Sequence, residues 1–445
     1  MNVAIMKTKA EQALSEAFAA AAGQLPGGAA VKAARADAIR AFGALGLPHR
    51  RIEEWKYTDL RVALKDVAAP SVHDSSPVTL KELNAALGPM AGIAADRIVF
   101  VNGGCRPELS SLSSVKGLEV KPLAGALAAA PEKIAEGLTR TTGPQRDATL
   151  ALNTAFMTDG AIVRIADGAA LAKPLLIVFL TTGKTAQLAS VRNVISAGAG
   201  STATVIEAHV SVPGRPQSNQ TNTVTELTVG KGATLAHIKV AIGNGTEVHL
   251  ANWNVSLGAA ANYRGFQYTS GLGLVRNQIS AVYAGEGTKL DLSGAYLAQG
   301  TEHVDTTLVV DHAVPHCESR ELFKGVLEGR SRGVFQGKII VRPGAQKTDG
   351  KQMAQALMLS PDAEFNSKPE LEIFADDVVC GHGTTTSELD PDLLFYCMSR
   401  GIPENEARAL LIESFIGEAL DKVEHEGLRA ALATYAGAWL NTARS

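Results

Sequence analysis

The sequence predicts a mainly β chain: a β-solenoid held between helical ends. Three observations carry the prediction. From Asp159 to about residue 380, short runs rich in β-branched residues alternate with glycine turns. Within that stretch Gly232, Gly245, Gly258, Gly273, Gly287 and Gly300 are separated by 13, 13, 15, 14 and 13 residues. On both sides the pattern turns helical, Ala-rich over residues 8–47 and amphipathic after Ser387. A short fixed period of strand and turn marks stacked units, because one such unit cannot bury its inner face without neighbours. A β-sandwich is the competing reading of the same strands.

The elements follow in order. Residues 8–47 read as helices broken by Gln24-Leu-Pro-Gly-Gly28. Trp55 and Tyr57 sit in a mixed polar and aromatic stretch and read as a packing anchor under a loop. A short helix is expected over Thr79–Leu87, a strand with a turn over Arg97–Gly103, and a helical interlude over Leu123–Leu138. Strands then run from Asp159, with Ala236–Val240 and Trp253–Leu257 alternating apolar and polar residues. After Ser387, Asp390 can cap a helix with Pro391 at its first position, and Gly401 ends it. Pro403 starts a second helix, on which Ile412, Phe415, Ile416, Ala419 and Val423 share one face. A third covers Leu428–Leu440. This block is expected to cap the solenoid and protect its end strand. The division is an N-terminal, mainly helical domain (1–158), a solenoid core (159–386) and a C-terminal helical domain (387–445).

Composition narrows the function. The 445 residues can bury a large core, and 46% apolar with 20% charged residues is an ordinary globular balance. A net charge of −3 leaves no basic footprint for nucleic acid or an anionic membrane. Met1–Ala20 has no apolar run of signal-peptide length, and Pro174–Leu180 is far too short to span a bilayer. Cys105, Cys317, Cys380 and Cys397 form no CxxC pair, which argues against a disulfide framework and for a reduced, cytoplasmic setting.

Several motifs fail. Thr182-Gly-Lys-Thr185 ends like a phosphate loop, but Val178 stands where the first glycine is required. Gly198-Ala-Gly-Ser-Thr-Ala203 runs on into a strand, whereas a dinucleotide fingerprint must open a helix. His303, His312 and His316 form a second cluster. The spacing of His312 and His316 suits a helical metal site, but Pro315 argues against a helix, so stacking within rungs is the plainer role. Cys397 falls on a helix three positions from Leu394 and reads as core, and Cys105 follows a glycine turn and reads as surface or half-buried. One pair survives. Cys380 and His382 are two apart on a strand and so project to one face, where thiolate and imidazole suit a borderline-soft metal such as iron or zinc. Two ligands are half a site, so a partner chain must supply the rest. A buried cysteine and a hydrogen-bonded histidine at the last rung is the alternative.

Taken together, the motifs resemble the SufB/SufD family of the SUF iron–sulfur cluster assembly machinery. The resemblance runs through Glu53–Thr58, Phe100–Gly103, Glu321–Leu327, Val334–Val341, Ala345–Gly350, Leu371–Asp377, Cys380-Gly-His-Gly383 and Phe395–Ile402. SufB-like chains carry Glu directly after the histidine and SufD-like chains carry Gly, so Gly383 points to the SufD branch. Gly381 stands where Ser is usual. The resemblance implies a right-handed parallel β-helix flanked by N- and C-terminal α-helical domains. It implies a non-catalytic scaffold that pairs with SufB through the β-helix and with the ATPase SufC through the C-terminal helices, or forms a homodimer when alone. It also implies transient iron or a nascent iron–sulfur cluster shared with SufB at His382, with Cys380 carrying less weight, and no cofactor held tightly by the isolated chain. A β-helical metalloenzyme using His303, His312 or His316 is the alternative.

Overall fold

The structure, a computed structural model, describes residues 7–72, 76–129, 147–182, 185–214 and 218–442. Local capping chemistry sets the N-terminal helices. In α1 (Lys9–Ala21) the Thr8 hydroxyl accepts the Glu11 N–H, and the Glu11 carboxylate accepts the Thr8 N–H at 2.7 Å. α2 (Ala29–Leu45) ends at Gly46, which has a φ of +70°. The short α3 (Leu60–Ala63) follows, then α4 (Leu80–Leu87), where Thr79 and Glu82 repeat the capping box. α5 (Leu123–Ala129) begins the predicted helical interlude, and its continuation to Leu138 lies outside the described residues. α6 (Ala148–Phe156) is buried along its whole length. Between these lie β1 (Ala69–Pro70), β2 (Asp96–Val101), β3 (Gly104–Cys105) and β4 (Leu118–Pro122).

The solenoid strands come next. They are β5 (Ala161–Ile165), β6 (Leu175–Thr181), β7 (Gln187–Ala197), β8 (Thr202–Ser211), β9 (Gln220–Val229), β10 (Thr234–Ile242), β11 (Val248–Leu257) and β12 (Asn262–Ser270). Then follow β13 (Leu274–Tyr283), β14 (Lys289–Ala298), β15 (His303–His312), β16 (Glu318–Leu327), β17 (Arg332–Val341), β18 (Asp349–Met358), β19 (Glu364–Ile373) and β20 (Val379–Ser387). Odd strands form one sheet and even strands the other, each strand pairing with the next of its sheet in parallel, so that about eight turns stack. Parallel pairing between alternate strands is solenoid geometry, and the sandwich reading is excluded. Leu235 pairs with Tyr263 and Tyr263 with Leu290, so a full rung takes 28 or 27 residues. The glycine step in the sequence is therefore half a rung, because each rung has a turn at both ends of its strands. Gly232, Gly287 and Gly300 occupy φ of +65°, +70° and +60° in those turns, a region where a Cβ is strained.

Side chains alternate between the lumen and the outside. In β18, Gly350, Gln352 and Ala354 are buried within the lumen while Lys351 and Met353 are exposed. The lumen holds one continuous apolar cluster that includes Val205, Leu235, Tyr263, Leu292, Phe323 and Phe335. Each such side chain contributes about 1.5–3 kcal/mol by leaving water. A polar string interrupts it at mid-length. There His237 Nε2 lies 2.6 Å from Glu207 Oε1, and Lys239 Nζ donates to Asn277 Oδ1 at 2.5 Å.

The two ends of the solenoid differ. At the N-terminal end β4 closes the odd sheet in antiparallel pairing, and β2 with β3 closes the even sheet. At the C-terminal end β19 and β20 are the last strands of their sheets. The C-terminal helices are α7 (Pro391–Ser399), α8 (Glu404–Leu420) and α9 (Glu426–Thr442), with Asp390 accepting the N–H groups of Asp392 and Leu393. They do not cap the end strand. Ile412, Ile416, Ala419 and Val423 instead join Phe266, Leu297, Val326 and Leu357 on the outer face of the even sheet. Lys324 of β16 pins α8 there, paired with Glu418 and 4.4 Å from the Phe415 ring. The apolar stripe found the wide side of the sheet, which offers more surface than the narrow end. No described helix is long and apolar enough to cross a membrane.

Candidate functional site

The site is the open end of the lumen. β20 follows a tight turn over residues 374–378, and Val379 N–H donates to Thr348 O of the rung below at 2.9 Å. The register then places Cys380 on Gly350, His382 on Gln352 and Thr384 on Ala354. Those three positions of β18 face the lumen, so Cys380, His382 and Thr384 face it too. Ser367 of β19 and Thr384 of β20 meet across it, their hydroxyl oxygens 2.8 Å apart. The sequence expectation that Cys380 and His382 share a face holds, and that face is the inner one.

They differ in cover. Cys380 is half-buried against Ile339, Val341, Ala345 and Ala375, because the turn after β19 folds over it. Burial pushes its thiol pKa up; the Gly350 backbone N–H opposes this, and the charges of Asp349 and Glu321 add to it. His382 is exposed, since no rung lies above it. Among the described residues no three His, Cys, Asp or Glu side chains gather as a metal site, so this chain brings a thiol and an imidazole and not a closed coordination shell.

Beneath His382 the column continues inward through Gln352 to Glu321. Gln352 Nε2 donates across the lumen to Gly337 O at 3.1 Å, and its Oε1 has no partner. Glu321 is 3% exposed, and the Ser319 hydroxyl near its carboxylate does not close into a full hydrogen bond. Burial pushes its pKa up to about 8, opposed by the Ser319 hydroxyl and Arg320 and helped by Asp291. In the neighbouring column Ser319, Gly350 and Cys380 stack. A Cβ on Gly350 would stand 3.3 Å from Ser319 Oγ, so the glycine keeps a gap between that hydroxyl and Cys380. Sequence reasoning missed Glu321 and Gln352. Their signal is parity: stacking the rungs puts both in the column of His382.

The second histidine cluster does not converge. His303 begins β15 and lies 2.9 Å from Thr58 Oγ1, whereas His312 ends the same strand. His312 stacks on Tyr283 with ring centroids 4.3 Å apart, and its Nε2 is 3.2 Å from Ser319 Oγ. His316 is exposed in a turn at φ +58°. Trp55 is buried as an anchor, with the Arg276 guanidinium 4.3 Å from its ring centroid and Arg276 paired to Asp305. Cys397 is not core: α7 has no buried residue, and Cys397 is half-exposed on it. Cys105 is half-buried, and burial with the Asp159 charge pushes its thiol up to about 12. Thr202 continues as β8, as the failed dinucleotide fingerprint requires, while Gly183 and Lys184 lie outside the described residues.

Comparison with known proteins agrees with this geometry. The family model "SUF system FeS cluster assembly, SufBD core domain" matches residues 179–415, and "SufBD protein N-terminal region" matches residues 8–177. An iron–sulfur cluster assembly SufBD family protein of Synechocystis is 31% identical over 408 residues, 89% of this chain and 88% of its own length. The iron–sulfur cluster assembly protein SufD of Escherichia coli is 30% identical over 394 residues, 86% of this chain and 87% of its own. SufD of Bacillus subtilis is 26% identical over 288 residues, 63% of this chain and 64% of its own.

Proposed function

The chain belongs to the SufBD family of SUF-system iron–sulfur cluster assembly proteins, and we propose that it acts there as a SufD-type scaffold, lending His382 and Cys380 to iron or a nascent cluster completed by a partner chain. The observation that carries this is the open rung. β20 is an edge strand of nine residues with no charged residue and no proline. Edges of that kind take on another strand unless blocked. β19 beside it carries Pro369, Lys368, Glu370 and Glu372 and is blocked. A second solenoid therefore adds along β20, and SufB supplies the ligands that this chain lacks. In its absence a second copy of this chain takes the same edge.

The ATPase SufC binds elsewhere. α7 exposes Leu393, Phe395, Tyr396 and Met398, and Leu410 of α8 adds to the patch, with Phe395 72% exposed. Large apolar side chains exposed at this density mark a protein interface. Exposed Arg408 and Glu413 stand at its rim. ATP hydrolysis belongs to SufC, and this subunit is non-catalytic and cytoplasmic. The metal is cargo, bound through neutral imidazole and a thiolate formed as the metal displaces the proton.

The test is co-purification with SufB and SufC, followed by iron and acid-labile sulfide per complex. His382→Ala is expected to assemble and melt as the wild type while losing most of the cluster. Cys380→Ala loses less. A full cluster load on His382→Ala would sink the ligand assignment.

A further inference from the structure

We propose that Gln352 is the positioning residue of the lumen mouth: its amide oxygen accepts an N–H of the His382 imidazole and so fixes which ring nitrogen faces the metal. This rests on the reading of His382 as a metal ligand and names the group that orients it.

The register brings the two together. Gln352 and His382 are paired residues of β18 and β20. Neighbouring strands lie about 4.8 Å apart, and residues of one column point the same way, so the imidazole is the next side chain outward from the amide. The amide has a set orientation. Its Nε2 donates to Gly337 O at 3.1 Å, and a flipped amide would set its own oxygen against that carbonyl. Gly337 makes the room: a Cβ there would collide with Gln352 Oε1 and stand 2.8 Å from the Phe335 ring. What remains is Oε1, a buried acceptor without a partner on a side chain 3% exposed. Buried polar atoms in native structures are nearly always paired. A neutral imidazole carries one N–H, which is the donor that Oε1 lacks. Glu321, next inward, lies beside the Ser319 hydroxyl, and even a proton shared from Glu321 would leave Oε1 its second acceptor site.

The consequence is chemical. A free imidazole exchanges its proton between Nδ1 and Nε2, and only the bare nitrogen binds a metal. A ligating histidine holds its other N–H against an oxygen acceptor, which fixes the tautomer and raises the basicity of the bare nitrogen. Gln352 supplies that acceptor from the rung below. The bare nitrogen is then turned toward the open end, where the added strand arrives. An amide does this without placing a second carboxylate next to Glu321 in the lumen.

The experiment has two readouts. The first is the tautomer, read from nitrogen NMR of the full chain with isotope-labelled histidine, at about pH 8 where a free imidazole is neutral. His382→Ala identifies the signals. The wild type is expected to hold His382 in one tautomer, and Gln352→Leu to average the two. The second is iron and acid-labile sulfide in the complex with SufB and SufC. Gln352→Leu is expected to weaken metal loading by about tenfold. Gln352→Met, of equal length and without the oxygen, repeats both losses, and Gln352→Glu, which keeps an acceptor, recovers part of each. Because Gln352 acts through His382, Gln352→Leu takes nothing further from a His382→Ala complex. Both readouts must move: an unchanged tautomer or an unchanged load in Gln352→Leu and Gln352→Met overturns the proposal, while the scaffold reading still stands on the His382→Ala load. A further loss in the His382→Ala background also overturns it, as do Leu and Met variants that no longer melt cooperatively, which make the residue structural. If His382→Ala carries a full load while the tautomer still depends on Gln352, the ligand reading fails and the orienting bond stands.

Discussion

Glu321→Gln makes a prediction about stability. The substitution keeps the shape of the side chain and removes its charge. The carboxyl lies in the lumen at 3% exposure, and burial raises its pKa from the ordinary 4.5 to about 8. Between those values the folded chain holds a proton that the unfolded chain has released. The folded state therefore binds more protons, and stability falls as pH rises through this window. Below pH 4.5 the group is neutral in both states and costs nothing extra; above pH 8 the whole cost is present. At about 1.4 kcal/mol per pH unit the ceiling is about 5 kcal/mol, and relaxation with water entry at the open end brings the expectation to about 2–4 kcal/mol. A neutral amide and a neutral acid lack partners equally, so the two chains should match near pH 4.5. The assay is urea denaturation at about pH 5, 7 and 9, comparing midpoints at constant slope. The variant should gain nothing at the lowest pH and most at the highest. A difference independent of pH, or a variant less stable at pH 9, would refute the argument that Glu321 is a buried, uncompensated acid.

Other predictions follow from the same structure. Burial holds the His312 imidazole down to about 4, so the folded chain refuses a proton that the unfolded one accepts below 6.5. Stability is then lost as pH falls from 6.5 toward 4, by up to about 3 kcal/mol, and His312→Phe should flatten that limb of the pH–stability curve. Phe395→Asp on α7 should abolish capture of the ATPase subunit in a pull-down while changing stability by less than about 0.5 kcal/mol, since the ring is already in water. Deleting residues 388–445 is a poorer test, because it strips the cover from Val326 and Leu357. Val379 bonds to the rung below, so in a parallel ladder the even-numbered N–H groups of β20 point to the free edge. Thr386→Pro removes one of them, and size-exclusion chromatography should show weaker pairing with the second solenoid and an unchanged melt.

What could be read from the sequence was what is local. Thr8, Thr79 and Asp390 cap helices through bonds to residues two or three positions on, so those starts were visible. The shared face of Cys380 and His382 followed from strand parity alone. The rung was only half legible: a glycine marks a turn, but nothing local says that two turns make one circuit. The stripe of Ile412 and Ile416 shows that α8 is covered, and only the fold says that the outer face of the even sheet covers it. Cys397 misled because apolar neighbours on a helix read as core whether they face the protein or a future partner. Glu321 was invisible for a related reason. A charged residue in a strand is expected to face water, and only the stacking of Leu292, Glu321, Gln352 and His382 shows that this one faces inward.

That column explains why the mouth is built as it is. Leu292, Glu321 and Gln352 are each buried, although they range from apolar to ionisable, because each has a rung on both sides. His382 occupies the same column and the same inward direction and is exposed. Its chemistry does not set that difference; the missing next rung does. At the other end the sheets terminate in the antiparallel strands β4 and β3. At the C-terminal edge β20 is the strand left open to a partner, since β19 carries Pro369 and four charged residues at Glu364, Lys368, Glu370 and Glu372. A strand added there would do to His382 and Cys380 what β20 does to Gln352 and Gly350. It would take the imidazole and thiol out of water and set new side chains over them in register. A metal bound at the mouth would then gain ligands and lose solvent in one event. Until that event the imidazole would compete for metal from water, with at most one thiol beside it, and its hold would be weak.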